Sequence, residues 1–292
     1  MSKFNVSQFR QQFAFFTHNP SWVYLDSAAT MHKPHAVVEA ELAFYQIANS
    51  NVHRGAHHLS QQATQLYEQA RDTVAGFINA KLRHEVIFTA GTTAALNQLA
   101  FGLMHTLLKP GDRILLTALE HHANIVPWQL LRDQIGIEIK VVPVLDDGSL
   151  DMAAYAALLT DNVKLVSITH ASNVLGTVND IRAIADLTHT VGALLLVDGC
   201  QGAVHCAPDV QALDADFYVF TGHKLFGPTG IGGLYGKRAA LEALMNGGVL
   251  EIARSDFDVT EDAVVSIFAY LDRIQTRQAG RPGVSGLLAL AA

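Results

Sequence analysis

The sequence predicts an α/β fold with a mostly parallel sheet flanked by helices. Short apolar runs rich in β-branched residues recur along the chain, at 85–88, 113–117, 139–144, 164–169, 193–198 and 217–220. Segments with helical periodicity separate them, at 92–108, 124–135, 152–159 and 181–192. Strands that alternate with helices in this way form βαβ units, in which neighbouring strands run parallel.

The composition indicates a large apolar core. Of 292 residues, 50% are hydrophobic and 16% are charged, and the formal net charge is −7. The low charged fraction indicates a large core, a subunit interface, or both. Mild acidity without a Lys/Arg-rich run gives no reason to expect nucleic acid as a partner.

Cellular location is indicated by what the sequence lacks. Its apolar runs are too short to span a membrane, and residues 1–16 lack the apolar segment of a secretory signal. The two cysteines, Cys200 and Cys206, are too few for a disulfide framework. We therefore expect a cytoplasmic protein without a membrane partner.

Chemically active residues follow the strands, and in open α/β sheets ligands bind beyond the carboxyl ends of the strands. The turn at Gly91, Thr92 and Thr93 opens a helix, where free N–H groups and the helix dipole suit an anion. An ordinary Thr N-cap explains the same residues. The other predicted strands lead to His121, Asn173, Asp198, Gln201, Thr221, His223 and Lys224.

An anion cradle, an imidazole, a carboxylate and a lysine at one sheet edge suit pyridoxal phosphate. A lysine amine forms a Schiff base with the aldehyde of this cofactor, and a carboxylate keeps its ring nitrogen protonated. The glycines around Lys224 let the backbone approach the cofactor closely. An apolar site that disfavours the ammonium form makes Lys224 a better nucleophile and base.

Metal and nucleotide sites fit these residues less well. His121 and His122 are adjacent, so they do not share a helix face, and no HExxH motif is present. The glycine-rich segment 227–233 follows its lysine, whereas the lysine of a phosphate-binding loop follows the glycines. We therefore expect no metal site.

Six motifs occur along the chain: YLDSAAT at 24–30, NVHRGAHHLS at 51–60, EHHANIVPWQ at 120–129, THASNVLGT at 169–177, VDGCQGAVH at 197–205 and DFYVFTGHKLFGPTGIGGLYG at 216–236. Together they resemble the class V aminotransferase family, and most closely its cysteine desulfurase branch. The resemblance implies the large domain of fold type I of the pyridoxal-phosphate-dependent transferases, and a homodimer. It also implies removal of sulfur from L-cysteine, or of selenium from L-selenocysteine, to leave L-alanine. A sulfur-acceptor protein and a role in iron–sulfur cluster assembly go with that activity.

The resemblance also implies roles for individual residues. Lys224 would be the Schiff-base lysine, Asp198 would pair with the ring nitrogen, and His121 would stack on the ring and assist proton transfer. Gln201 would bond the phenolic oxygen of the ring, and Asn173 would lie near the ring and the substrate. The phosphate group would be held by Thr92, Thr93, Thr221 and His223, and an active-site loop would contain His53 and Arg54.

The expected domain boundary lies near residue 245. A large domain would cover residues 1–245, with an N-terminal segment at 1–22. Relatives continue into a small domain of about 100 residues, which carries a persulfide-forming cysteine and a carboxylate-binding arginine. We expect residues 246–292 to be a divergent or truncated remnant, with an amphipathic helix at 260–274.

Three classes of function stay open. The first is a cysteine desulfurase, and the second is a selenocysteine lyase or another class V lyase or aminotransferase. The third is a non-catalytic homologue that binds pyridoxal phosphate. Because Cys200 and Cys206 are both expected to be structural, and the carboxylate-binding arginine of the small domain has no counterpart, we expect cysteine desulfuration to be poor or absent. Arg281 stands where the resemblance implies a phosphate-binding threonine from the partner subunit.

Overall fold

The computed structural model describes residues 4–246, which include one sheet of seven strands. The strands are β1 Val86–Thr89, β2 Arg113–Thr117, β3 Glu138–Val142, β4 Val163–Thr169, β5 Leu194–Asp198, β6 Phe217–Thr221 and β7 Gly232–Gly236. Their order in the sheet is β1-β7-β6-β5-β4-β2-β3. Neighbouring strands are parallel, except that β7 is antiparallel to β1 and to β6. The predicted α/β fold with a mostly parallel sheet is confirmed.

Helices connect and flank these strands. They are α1 Val6–Arg10, α2 Ala14–His18, α3 His35–Ala43, α4 His58–Phe77, α5 Thr92–Thr106, α6 Val126–Ile135, α7 Met152–Leu158, α8 Ile181–Thr190, α9 Gly202–His205, α10 Val210–Leu213 and α11 Arg238–Asn246. A π-helical turn continues α3 over Phe44–Ala48, and 3-10 turns occupy Arg83–Glu85, His122–Asn124 and Gly222–Lys224. The four helices predicted between strands are all present.

The sheet lies between two helical layers. Ile114 and Leu116 of β2 pack with side chains of α5, α6 and α11, whereas Leu115 faces the opposite core with α4, α7 and α8. Successive side chains of a strand point to opposite faces, so a strand that is covered on both sides is apolar throughout. This is why the strands appear in the sequence as continuous apolar runs.

Aspartates fix where several of the helices begin. Asp151 accepts a hydrogen bond from the Ala154 N–H at the start of α7, and Asp180 accepts one from Ala183 at the start of α8, at 2.9 and 3.0 Å. Each bond satisfies an N–H group that has no acceptor within the helix. These caps fix the ends of the connections that follow β3 and β4.

The segment before α3 lies against the turn that follows β6. Three donors converge on the carbonyl oxygen of His223: the Met31 N–H at 3.0 Å, the Thr30 hydroxyl at 3.3 Å and the Lys33 ammonium at 3.3 Å. The N-terminal segment therefore holds the backbone immediately before Lys224.

No helix within residues 4–246 has both the length and the apolar character needed to cross a bilayer. The helix expected at 260–274 and Arg281 lie outside the described residues, as does nearly all of the expected remnant at 246–292.

Candidate active site

A cavity of about 520 Å³ opens at the sheet edge where the parallel strands end. All of the predicted catalytic and cofactor-binding residues line it: Thr92, Thr93, His121, Asn173, Asp198, Gln201, Thr221, His223 and Lys224. The N-terminal segment adds Asp26, Ala28 and Ala29 to the lining. Residues that are far apart in the sequence meet here because the parallel strands bring their carboxyl ends to one edge.

Lys224 is the last residue of a tight 3-10 turn. The turn is closed by hydrogen bonds from the Leu225 and Gly227 N–H groups to the Gly222 carbonyl, both at 2.8 Å. The Gly222 N–H in turn donates to the Ile231 carbonyl at 2.8 Å. The lysine is therefore carried by backbone that is fixed on both sides, as a group that must react at one place requires.

Asp198 is the last residue of β5, and it is only 3% exposed. Its Oδ1 accepts a hydrogen bond from the Cys200 N–H at 2.9 Å. Burial raises the pKa of Asp198, whereas this bond and the neighbouring Lys224 and His121 act in the opposite direction. Because α9 begins later, with Gln201 at its N-cap, Asp198 does not cap a helix, and it lines the cavity.

The turn between β1 and α5 forms the anion end of the cavity. Gly91 occupies the N-cap of α5 with φ 134°, a conformation that side chains rarely allow. The interpretation of this motif as a Thr N-cap is therefore wrong, since Thr92 and Thr93 are the first helical residues. The first N–H groups of a helix lack intrahelical acceptors, so this end of α5 presents donors and a positive dipole to the cavity.

Strand β7 passes close to this turn. A Cβ atom on Gly232 would lie 2.6 Å from the Phe220 carbonyl oxygen and 2.7 Å from the Gly91 Cα atom. Only glycine therefore permits the approach of β7 that supports the Gly91 turn.

His121 caps the 3-10 turn that follows β2. Its Nδ1 atom accepts a hydrogen bond from the Ala123 N–H at 3.1 Å. A neutral imidazole that accepts at Nδ1 carries its proton on Nε2. The turn thus selects one tautomer of the histidine at the cavity wall.

The remaining predicted residues complete the lining. Gln201 donates from Nε2 to the Ala28 carbonyl at 2.8 Å, and this bond ties the N-terminal segment to the turn after β5. Burial, together with the charges of Lys224 and Lys33, lowers the pKa of His223, which favours a neutral imidazole near pH 7. Asn173 follows β4 and is exposed at the cavity.

The structure does not place two further predicted residues at the cavity. His53 and Arg54 are exposed and are not part of the lining. His53 has φ 62° and its Nε2 lies 3.0 Å from Oε1 of Glu68 in α4. In this structure, therefore, His53 contacts α4, and neither residue lines the cavity.

Sequence reasoning missed one side chain that lines the cavity and one that lies beside it. Cys200, expected to be structural, lines the cavity, and its thiol donates to the Thr92 hydroxyl at 3.0 Å. Burial and the nearby Asp198 carboxyl raise the pKa of this thiol. Glu120 precedes His121 directly, and its partly buried carboxyl accepts hydrogen bonds from Thr117, Thr169 and Asn124. A charged residue between the apolar end of β2 and a histidine pair was the signal that could have indicated it.

The chain matches known proteins along nearly all of its length. The model of the class-V aminotransferase family matches residues 23–291. A cysteine desulfurase of Pectobacterium atrosepticum is 43% identical over 272 residues, which are 92% of this chain and 65% of that protein. A probable cysteine desulfurase of Halobacterium salinarum is 51% identical over 229 residues, which are 77% of this chain and 55% of that protein. The chain therefore spans less than two thirds of the length of these relatives.

Solved structures show the same likeness. The cysteine desulfurase CsdA of Escherichia coli is 35% identical, with a TM-score of 0.82 over 97% of this chain and 74% of that one. The cysteine desulfurase of Thermococcus onnurineus NA1 is 31% identical, with a TM-score of 0.84 over 95% of this chain and 74% of that one.

Proposed function

Because the chain belongs to the class-V aminotransferase family, we propose that it is a pyridoxal-phosphate-dependent enzyme of the cysteine desulfurase type. Its reaction would take sulfur from L-cysteine and leave L-alanine. One observation carries the proposal: Lys224, Asp198 and His121, together with the N-terminus of α5, line the same cavity. The relatives that share most of this chain carry the same name.

The residues present fit the cofactor group by group. The N–H groups at the start of α5, with Thr92 and Thr93, would hold the phosphate. Asp198 would accept a hydrogen bond from the protonated ring nitrogen, and the pairing would offset the cost of its burial. Lys224 would hold the aldehyde carbon, His121 would lie on the ring, and further contacts would come from Gln201, Thr221, His223 and Asn173.

The catalytic roles fall to two side chains. When bound, pyridoxal phosphate withdraws electrons from the substrate's Cα atom. Lys224 would move the Cα proton, because its backbone turn is fixed and its amine faces the cavity. His121 would assist proton transfer with Nε2, the nitrogen that the Ala123 N–H leaves free.

Sulfur transfer also needs an acceptor thiolate, and the two cysteines of the sequence are not suited to that role. The pKa of Cys200 and the pKa of Cys206 are both raised by burial, which disfavours the thiolate. This observation supports selenocysteine lyase activity as a second candidate, because the weaker carbon–selenium bond can break without an enzyme thiol. Parallel assays of sulfide and selenide release, each with alanine quantified, separate the two activities.

We also propose that the protein is a cytoplasmic homodimer that supplies sulfur to an acceptor protein for iron–sulfur cluster assembly. Exposed apolar side chains next to the cavity support the dimer. Leu25 is 87% exposed and Val174 is 79% exposed, and they adjoin the lining residues Asp26 and Asn173. Monomers rarely expose such patches. Light scattering at micromolar concentration should give a dimer, and a monodisperse monomer would contradict this part of the proposal.

Borohydride reduction followed by peptide mapping tests the cofactor site. The protein is incubated with pyridoxal phosphate and reduced, and the pyridoxyl group should then be found on Lys224. Lys224→Ala should lose the label, whereas Lys140→Ala, which alters an exposed lysine of β3, should keep it. A label on another lysine in the wild-type protein, or none at all, would overturn the assignment.

A further inference from the structure

Glu120 is a carboxyl beside the cavity to which the proposed reaction gives no role. Three donors converge on it. The Thr117 hydroxyl and the Thr169 N–H donate to Oε1 at 2.6 and 2.9 Å, and Asn124 donates from Nδ2 to Oε2 at 2.6 Å. Thr117 ends β2 and Thr169 ends β4. The carboxyl therefore joins two strand ends to the turn that carries His121.

The directions of the hydrogen bonds that Glu120 makes with Thr169 and Asn124 are fixed by donors that cannot accept. Asn124 is fully buried, and its Oδ1 accepts from the Trp128 indole N–H at 3.1 Å and from the Ser167 hydroxyl at 2.5 Å. An indole N–H only donates, so Asn124 must keep Oδ1 towards Trp128 and Nδ2 towards Glu120. The Thr169 N–H also only donates. Oε1 of residue 120 must therefore accept from Thr169 and Oε2 from Asn124, which a carboxyl group allows and the NH₂ group of a glutamine does not.

This network spans the turn at residues 121–124, which carries His121. Glu120 and Asn124 are joined side chain to side chain across the three residues between them. Within this turn, the Ala123 N–H donates to His121 Nδ1 at 3.1 Å, and the Asn124 N–H donates to the His121 carbonyl at 2.8 Å. The bond that selects the His121 tautomer thus lies within a turn whose two ends Glu120 holds together.

We propose that Glu120 is a positioning residue whose carboxyl group holds the 121–124 turn in the geometry that keeps the proton of His121 on Nε2. The proposal rests on the proposed function, in which His121 is the imidazole that faces the cofactor. Glu120 itself touches neither the cofactor site nor the substrate, since the cavity lining contains His121 and Ala123 but not Glu120.

The substitution Glu120→Gln tests the hydrogen bond between Glu120 and Asn124. A glutamine can keep its oxygen towards Thr117 and Thr169, but its NH₂ group then meets the NH₂ group of Asn124. Adding Asn124→Asp reverses the direction of that one bond. In the double variant, the NH₂ group of the new glutamine would donate to the new carboxylate at position 124, which still accepts from Trp128 and Ser167. The double variant therefore restores every hydrogen bond and moves the negative charge by one side chain.

The tautomer of His121 can be measured without cofactor, by NMR of the protein labelled with ¹⁵N-histidine and assigned with His121→Gln. Wild type should show Nδ1 as an acceptor and Nε2 protonated. Glu120→Gln should shift the ratio of the two tautomers by about fivefold, the equivalent of one hydrogen bond. Glu120→Gln/Asn124→Asp should restore the wild-type ratio. Glu138→Gln, at the exposed edge strand, is the matched control and should leave the ratio unchanged.

An unchanged ratio in Glu120→Gln, or a double variant that folds without the wild-type ratio, would overturn the proposal. If Glu120→Gln does not fold, the double variant tests the proposal by itself, because the proposal requires that it fold and that it show the wild-type tautomer.

Titration with pyridoxal phosphate gives a second readout. Glu120→Gln should weaken binding about fivefold in the wild-type background and leave it unchanged in His121→Ala. A wild-type protein that binds no pyridoxal phosphate would refute the proposed function, while the tautomer would still test Glu120.

Discussion

The thiol of Cys200 donates a hydrogen bond to the hydroxyl of Thr92 across 3.0 Å. This contact joins the turn after β5 to the first residue of α5, and both residues line the cavity. A cysteine so placed is accessible from the cavity but holds its proton, since burial and Asp198 raise its pKa.

We therefore predict that Cys200 reacts slowly with alkylating reagents although it lines an open cavity. In Cys206→Ser, where Cys200 is the remaining thiol, iodoacetamide at pH 8 should react at least about tenfold more slowly than with free cysteine. Mass spectrometry of quenched samples gives the rate. Reaction as fast as that of free cysteine would show that Cys200 is a thiolate nucleophile after all.

Glycine at position 232 should be required for stability. Alanine would place its Cβ within 2.7 Å of backbone atoms of Phe220 and Gly91, and backbone cannot yield as a flexible side chain can. We expect Gly232→Ala to lower the free energy of unfolding by about 2–3 kcal/mol. Urea denaturation measures this change.

Gly102→Ala is the matched control for that substitution. Gly102 lies inside α5, and a Cβ there would meet Leu244 at an ordinary 3.5 Å. Alanine is the better helix former by about 1 kcal/mol, so this variant should be neutral or slightly stabilised. Equal losses in the two variants would show that the close approach of β7 does not decide the effect.

His170 should make the protein less stable in acid. It is buried against Tyr218, with Nδ1 3.0 Å from the phenolic oxygen, and burial lowers its pKa to about 4. Its unfolded pKa is near 6.5, so the unfolded state binds the proton first and stability is lost as pH falls from about 6.5 to about 4. Over this pH range, the free energy of unfolding of the wild type should fall by at most about 3 kcal/mol relative to that of His170→Gln. Parallel curves of unfolding free energy against pH would contradict the prediction.

Glu120 should have the opposite dependence on pH. Burial is the main cause that raises its pKa from 4.5 to about 7, with Asp198 adding to the shift, while its three hydrogen bonds oppose it. The folded state then binds the proton more tightly than the unfolded state. Stability relative to Glu120→Gln should therefore fall as pH rises from about 4.5 to about 7, and level off above that. Urea midpoints at about pH 5, 6, 7 and 8 give the slope, and a difference that is constant over this range would be inconsistent with the raised pKa.

The residues that the sequence could indicate are those whose position follows from the order of the strands. Asp198 and Lys224 end or follow continuous apolar runs, and parallel strands bring such ends to one edge. Their meeting in one cavity could therefore be expected from the chain alone. The pairing of β7 with β1 could not, because it joins residues that are far apart in the sequence.

The contacts that sequence reasoning missed depend on side-chain geometry between distant elements. Glu120 meets the Thr169 N–H 49 residues further along the chain, and Cys200 meets Thr92 across 108 residues. Neither pairing leaves a periodic pattern in the sequence. The placement of His53 and Arg54 outside the lining is of the same kind, since it depends on a backbone turn with positive φ at His53.

The three donors that converge on the His223 carbonyl are synthesised well before the carbonyl that they bind. Thr30 and Lys33 are synthesised 193 and 190 residues before the acceptor that they bind. At a synthesis rate of about 5–20 residues per second, the N-terminal segment waits roughly 10–40 s for its partner to be made. During that interval the Met31 N–H, the Thr30 hydroxyl and the Lys33 ammonium have no His223 carbonyl to bind. The part of the cavity wall that contains Asp26, Ala28 and Ala29 can therefore be completed only after β6 has been made.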